Sequence, residues 1–177
     1  MEEKAQSTVS TRSVGIRYGL IMGIIGVALF VLFIVLDVDI QGPARWLNVA
    51  VLAVVMFLAH KYYKDNGDGF MSIGQATGIG FWLSLVSSVI SSAFTYVYLK
   101  FIDSSFIKQM MDKQREAMEA KGNLSEEQVN QAMNMTEKFM TPEIMLVFGL
   151  IFGVLFGVII AVLVGLFTQK KNPDPFV

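Results

Sequence analysis

Four long apolar segments, separated by polar ones, follow one another along the chain at residues 18–36, 44–63, 73–98 and 144–167. A helix rises about 1.5 Å per residue, so each segment can cross most or all of a hydrocarbon core about 30 Å thick. Backbone groups in lipid must be hydrogen-bonded within their own segment, and an isolated span can achieve this only as a helix. The pattern therefore predicts an all-α fold, a polytopic membrane four-helix bundle that forms a single integral membrane domain over residues 1–177. Residues 1–14 of this domain are predicted to be a polar tail.

Small residues recur at four-residue intervals near the first segment and throughout the last one. The two rows are Gly15, Gly19 and Gly23, and Gly149, Gly153, Gly157, Ala161 and Gly165. Such rows let the backbone of another helix approach closely. We expect the two rows to pack on each other, with the helices antiparallel. In the alternative, the last row faces lipid or a second copy of the protein.

The third segment carries a seam of hydroxyl side chains at alternating three- and four-residue steps. Its members are Thr77, Ser84, Ser88, Ser91 and Thr95. Hydroxyls in a span bond to their own helix carbonyls or to a neighbouring helix. They could also line a hydrated pathway, but pathways in membranes usually contain ionisable groups and this seam has none. Packing is therefore the favoured interpretation.

Between the third and fourth segments, residues 104–141 are charged and rich in helix-forming side chains. Gly122 is suited to end one helix, and Ser125 with Gln128 predicts a capping box at the start of another. The sequence Thr141-Pro142-Glu143 is typical of a helix start. We therefore predict an extramembrane helical hairpin between spans 3 and 4.

Methionine and phenylalanine dominate the apolar faces of this predicted hairpin. The candidate partner-facing residues are Phe106, Met110, Met111, Met118, Met133, Phe139 and Met140. Methionine suits adaptable packing and promiscuous binding surfaces. Thioether groups can also bind Cu(I), but neither cysteine nor histidine lies nearby, so an amphipathic packing face is favoured.

Composition excludes several classes of function. The net charge of -1 and the lack of a basic stripe disfavour nucleic acid as a partner. The chain has no cysteine and one histidine, His60, which rules out thiolate sites and multi-histidine zinc sites. We identify no catalytic, metal or cofactor-binding residues and expect no enzymatic activity and no cofactor. His60, beside Lys61, is interpreted as a polar helix end that reaches the membrane interface.

Basic residues close to the ends of the segments predict the orientation. One side would hold Arg12, Arg17, Lys61, Lys64, Lys170 and Lys171, and the other Arg45 and Lys100. Positive charge near helix ends favours the cytoplasmic side. Both termini are therefore predicted to be cytoplasmic, with the hairpin outside.

The hairpin region also carries a family resemblance. Its most specific parts are Phe101-Ile102-Asp103, Lys121-Gly122, Ser125-Glu126-Glu127-Gln128 and residues 139–142. With the third segment before it, this pattern resembles the uncharacterised bacterial four-span membrane proteins grouped as domain of unknown function 4199. The resemblance implies a bacterial inner membrane and a four-span plan. It supplies no activity, cofactor or catalytic residue.

Two classes of function remain. The first is a structural or interaction protein whose hairpin meets a protein partner, the lipid surface or a second copy of itself. The second is a small transporter or channel that uses the hydroxyl seam of the third segment. In both cases the lipid bilayer is a partner, and self-association through the hairpin or the glycine rows is possible.

Overall fold

The computed structural model describes residues 9–38, 42–122 and 124–172. Within them lie six α-helices: α1 (Thr11–Val35), α2 (Arg45–Asp65), α3 (Ile73–Val97), α4 (Ser105–Ala120), α5 (Glu126–Phe139) and α6 (Pro142–Thr168). A π-helical turn, Tyr98–Ile102, continues α3. The described residues contain no strand, only a single β-bridge between Met71 and Lys170. The predicted all-α fold is confirmed.

Four of these helices are long and apolar enough to cross a bilayer. They are Thr11–Val35, Trp46–Asp65, Ile73–Ile102 and Pro142–Thr168. Large apolar side chains remain exposed along them, among them Leu155 and Ile159 of α6. A soluble protein rarely leaves so much apolar surface uncovered, whereas lipid covers it without penalty. The chain is a multi-pass membrane protein.

The first helix begins earlier than the apolar pattern predicts, at Thr11 instead of near residue 18. Ser10 explains the difference, because its Oγ accepts a hydrogen bond from Ser13 N at 3.1 Å and so caps the helix. The predicted polar tail of residues 1–14 is therefore too long. Residues 1–8 of that tail lie outside the described residues, as do residues 39–41 between the first two predicted segments.

Local capping interactions determine where α4 ends and where α5 and α6 begin. Gly122 follows α4 with φ +62°, a left-handed conformation that glycine adopts most easily. The capping box predicted at Ser125 and Gln128 is confirmed: Ser125 N donates to Gln128 Oε1 at 2.8 Å, and Gln128 N donates to Ser125 Oγ at 3.3 Å. Ile144 N donates to Thr141 Oγ1 at 3.3 Å, at the start of α6.

The described residues fall into two compact units. One contains the residues up to Ser91 together with those from Leu150 onwards, and the other is Ser92–Gly149. The first unit holds α1, α2, most of α3 and most of α6, around a core that includes Met56, Ile79 and Leu83. The second holds α4 and α5, which contact each other through a hydrogen bond from Arg115 Nη2 to Asn130 Oδ1. The location of α4 and α5 outside the membrane stays a prediction.

Candidate functional site

The glycine row of α6 packs directly on α3. A Cβ placed on Gly157 would overlap Ser84 Oγ, and one placed on Gly153 would overlap Ser88 Oγ. Four residues further towards the end of α6, Ala161 Cβ occupies the place that a Cβ on Gly80 would take. Each step of four residues forward along α6 thus matches a step of four backward along α3. The helices are antiparallel and nearly in backbone contact.

The same register extends beyond these three pairs. A Cβ on Gly165 would lie 3.0 Å from Ala76 Cβ. Beyond the start of α3 and the end of α6, Met71 and Lys170 exchange two backbone hydrogen bonds of 2.9 Å each. In the second unit, a Cβ on Gly149 would lie 2.7 Å from Ser92 Oγ. We call the four pairs of the first unit the α3–α6 ladder: Ala76 with Gly165, Gly80 with Ala161, Ser84 with Gly157, and Ser88 with Gly153.

The serine oxygens of the ladder point along glycine Cα–H bonds, because each lies close to the position of the absent Cβ. Such Cα–H···O contacts recur between closely packed helices and are individually weak. Ser84 is 2% exposed, and its Oγ has no hydrogen-bond partner. Protein atoms therefore fill the contact between α3 and α6 at Ser84 and Ser88.

The predicted hydroxyl seam does not form one surface. Ser84 and Ser88 face α6, whereas Ser91 Oγ lies 3.1 Å from the Cβ position of Gly26 on α1. Thr77 Oγ1 donates to Ile73 O at 2.8 Å within its own helix, and Thr95 is half-buried. Sequence reasoning missed Gly80 and Ser92, although small residues at 76, 80, 84, 88 and 92 recur at a strict four-residue spacing.

The glycine row of α1 also packs on α3, on a bulkier face. A Cβ on Gly19 would lie 2.7 Å from Leu83 O and 2.8 Å from Val86 Cβ, and one on Gly23 would lie 2.7 Å from Ile90 Cδ1. A Cβ on Gly15 would lie 2.5 Å from Trp82 Cβ. The expectation that the two glycine rows pack on each other is therefore wrong. Both rows contact α3, which lies between α1 and α6.

At the end of the ladder near Gly165, a buried polar cluster joins three helices. His60 of α2 is fully buried, with Nδ1 2.9 Å from Thr168 Oγ1 of α6 and Nε2 3.2 Å from Ala76 O of α3. Lys64 Nζ donates to Thr168 O at 2.8 Å. The interpretation of His60 as a polar end that reaches the interface is corrected, because His60 is enclosed by side chains from distant parts of the sequence.

The partners of His60 indicate its hydrogen-bonding pattern. A carbonyl oxygen only accepts, so Nε2 of the neutral ring carries the proton and donates to Ala76 O. Nδ1 then accepts from the hydroxyl of Thr168. Thr168 Oγ1 also lies 2.9 Å from Val164 O, and its one proton can serve only one of these two acceptors at a time. The cluster ties α2, α3 and α6 together by hydrogen bonds that lipid cannot replace.

In the second unit, a cavity of about 620 Å³ lies between α4 and α5. Its lining includes Met111, Met133 and Met140, with Lys108 and Glu137 among the charged residues. Met133 is 7% exposed, and Phe106 packs edge-on against Tyr98 with ring centroids 6.0 Å apart. Met110 and Met118 are half-buried. Of the candidate partner-facing residues, only Phe139, 54% exposed, is largely accessible.

Among the described residues, no three His, Cys, Asp or Glu side chains are grouped closely enough to hold a metal ion. The clearest ion pair of the second unit joins Lys100 Nζ to Glu143 Oε1 at 2.6 Å. Lys100 Nζ also donates to Tyr96 Oη at 2.8 Å. Both groups are partly exposed, and the pair fixes the polar end of α6 in this unit without forming an enclosed site.

Comparison of the sequence with known protein families assigns the chain to one family. The family described as Protein of unknown function (DUF4199) matches residues 17–170, which include all of the α3–α6 ladder, His60 and both helices of the second unit. No curated protein and no solved structure matches. Since the match covers most of the chain, the protein belongs to the DUF4199 family.

Proposed function

We propose that the protein is a structural or interaction protein of the bacterial inner membrane, whose α4–α5 region meets a protein partner. The observation that carries this proposal is the direct contact of Ser84 and Ser88 with the α6 glycines. The hydroxyls that would line a solute route are used for helix packing instead. The bundle is then a closed scaffold, and its role is non-catalytic.

The α4–α5 region supplies the surface for the partner. Phe139 and Met135 of α5 are 54% and 60% exposed and lie one helical turn apart, and Leu124 is also exposed. Polar and charged side chains surround them, as at the rim of a protein interface. Exposed apolar groups of this kind are expected to be covered by another protein.

Photo-cross-linking in living cells tests the partner. A photoreactive amino acid at position 139 should give a discrete protein adduct. The same residue at position 155, where Leu155 of α6 is 55% exposed on a membrane span, should give mainly lipid adducts. Equal adduct patterns from the two positions would contradict a partner surface on α5.

Reconstitution tests the closed scaffold. Proteoliposomes should pass ions and small polar solutes no faster than protein-free liposomes. Saturable flux that Ser88→Val abolishes would replace this proposal with the transporter alternative.

The proposed orientation places both termini in the cytoplasm and α4–α5 outside. It is supported by the clustering of Arg12, Arg17, Lys61 and Lys64 on helix ends of the first unit. Single cysteines at Ser7, Asn123 and Asn172 can be labelled in spheroplasts with a membrane-impermeant thiol reagent, because the chain has no cysteine of its own. Labelling at 123 alone is expected, and labelling at 7 or 172 but not at 123 would reverse the orientation.

A further inference from the structure

Two arginines of α1 are held against aromatic rings in the clefts that α1 forms with its neighbours. The Arg17 guanidinium lies 4.8 Å from the centre of the Tyr62 ring on α2, and its Nη1 donates to Tyr62 Oη at 2.9 Å. The Arg12 guanidinium lies 4.8 Å from the centre of the Trp82 ring on α3. Stacking on a ring restricts the guanidinium while leaving most of its N–H edge accessible.

Aromatic side chains near these arginines indicate that this part of the first unit lies at the membrane interface. Tyr18 and Tyr62 contact each other with ring centroids 5.8 Å apart, and Lys170 Nζ lies 5.3 Å from the centre of the Phe70 ring. Tyrosine and tryptophan concentrate where membrane helices meet the headgroup region. The two arginines are thus positioned where phospholipid phosphates lie.

The positive charge here is not neutralised within the described residues. None of Arg12, Arg17, Lys61, Lys64, Lys170 and Lys171 forms an ion pair there; the two ion pairs of the structure join Lys100 to Glu143 and Arg115 to Glu119, both in the second unit. Among the described residues, Asp65 and Asp68 are the acids closest in sequence to these basic side chains, and Asp68 Oδ1 accepts a hydrogen bond from Phe70 N at 2.9 Å. In the described part of the first unit, these basic side chains therefore form a cationic surface without ion-paired carboxylates.

We propose that this surface, formed by Arg12 on Trp82 and Arg17 on Tyr62, binds the headgroup phosphates of anionic phospholipids. A guanidinium has five N–H donors in a planar fork, and Arg17 uses one of them on Tyr62. The remaining donors match the geometry of a phosphate. The basic side chains on neighbouring helix ends, such as Lys61, select lipids that carry net negative charge. The preferred partner is a phosphatidylglycerol-type lipid rather than a zwitterionic one.

Native mass spectrometry of the purified full chain, mixed with equal amounts of phosphatidylglycerol and phosphatidylcholine, tests this. The wild-type protein should retain phosphatidylglycerol preferentially. The double variant Arg12→Gln/Arg17→Gln should lose retention by about 5- to 30-fold, since each basic group near the surface strengthens binding several-fold. Lys108→Gln/Lys113→Gln removes the same charge from α4 and should leave retention unchanged. Equal retention of the two lipids, or an equal loss in both double variants, would overturn the proposal.

A second measurement keeps the test independent of how well the arginine variants fold. The chain has two tryptophans, and Trp46→Phe leaves Trp82 as the single fluorophore beside Arg12. In mixed bilayers, Trp82 should be quenched more strongly when bromine is carried on the acyl chains of phosphatidylglycerol than on those of phosphatidylcholine. Added inorganic phosphate should leave this difference unchanged if the lipid is the ligand. Equal quenching by the two lipids, or loss of the difference in phosphate, would contradict lipid binding at this surface.

Discussion

The two glycine rows have the same four-residue spacing but meet different surfaces of the same helix. The α6 row contacts the small residues of α3, from Ala76 to Ser92, whereas the α1 row contacts the bulky ones, Leu83, Val86 and Ile90. On the first face both helices contribute small side chains and the backbones nearly touch. On the second, glycine makes space for a large side chain of its neighbour. Glycine spacing thus predicts that another helix approaches closely, but the side chains of that helix determine what fills the space above the glycines.

The largest expected effect comes from filling the ladder. Gly157→Leu should lower the free energy of unfolding in bicelles by about 3 kcal/mol or prevent folding. The leucine side chain would overlap Ser84, and the α3 backbone would have to move to make room for it. Gly74→Leu is the matched control, since its Cβ would meet nothing closer than Ser72 Oγ at 3.9 Å. It should leave stability nearly unchanged. Equal losses from the two variants would show that the ladder is not the tight contact.

Disrupting the buried His60 cluster at the end of the ladder should give the next largest loss of stability. The α1 row has no comparable buried cluster among the described residues. His60→Ala removes the two ring hydrogen bonds, to Thr168 Oγ1 and to Ala76 O, and leaves Thr168 Oγ1 bonded only to Val164 O. A loss of about 2 kcal/mol of unfolding free energy is expected. Lys61→Ala, on the exposed neighbouring position, should change stability by less than about 0.5 kcal/mol. A His60 variant as stable as the Lys61 variant would contradict the buried network.

Within the α1 row, single alanines should differ from one another. The Cβ of Gly19→Ala would press on the backbone oxygen of Leu83, which cannot move alone, and should cost about 1 to 2 kcal/mol. At Gly23 the new Cβ would meet only side-chain atoms of Ile90, Cδ1 at 2.7 Å and Cβ at 2.9 Å, so Gly23→Ala should cost less than Gly19→Ala. The unfolding free energies of both variants in bicelles measure this difference. The reverse order would place α1 on a different face of α3.

The smallest effect should have the opposite sign. Ser84→Ala removes a buried hydroxyl that has no hydrogen-bond partner and loses only a weak Cα–H···O contact with Gly157, so the unfolding free energy should rise by up to about 1 kcal/mol. Ser87→Ala is the control, because Ser87 Oγ donates to Ser84 O at 3.2 Å and its loss should be destabilising. A clear destabilisation by Ser84→Ala would indicate that its oxygen is hydrogen-bonded after all.

Features set by neighbouring residues could be predicted from the sequence. The capping box at Ser125 and Gln128, the end of α4 before Gly122 and the start of α6 at Pro142 depend on side chains a few positions apart. The four apolar segments followed from hydrophobicity alone. Only the start of α1 differed markedly, because Ser10 caps the helix within a polar stretch.

Features set by distant residues could not be predicted. His60 looks interfacial beside Lys61, and only the packing of α3 and α6 encloses it with Ala76 and Thr168. The hydroxyl seam mixed two faces because three- and four-residue steps were accepted together. A strict four-residue step would have selected Gly80, Ser84, Ser88 and Ser92 and left Ser91 to α1. Which helix meets that face is decided by the fold of the whole bundle.

The central claim is that α6 packs on α3 and not on α1, and disulfide trapping tests it most directly. A Cβ on Gly149 would lie 3.6 Å from Ser92 Cβ, within the range for a disulfide, and the chain has no other cysteine. A protease site inserted after Gly122 separates α6 from α1 and α3, so a disulfide keeps the two fragments joined on a non-reducing gel. Oxidation in membranes should join the fragments of Ser92→Cys/Gly149→Cys and not those of Gly19→Cys/Gly157→Cys. Joining of the second pair without the first would place the two glycine rows on each other and contradict the account.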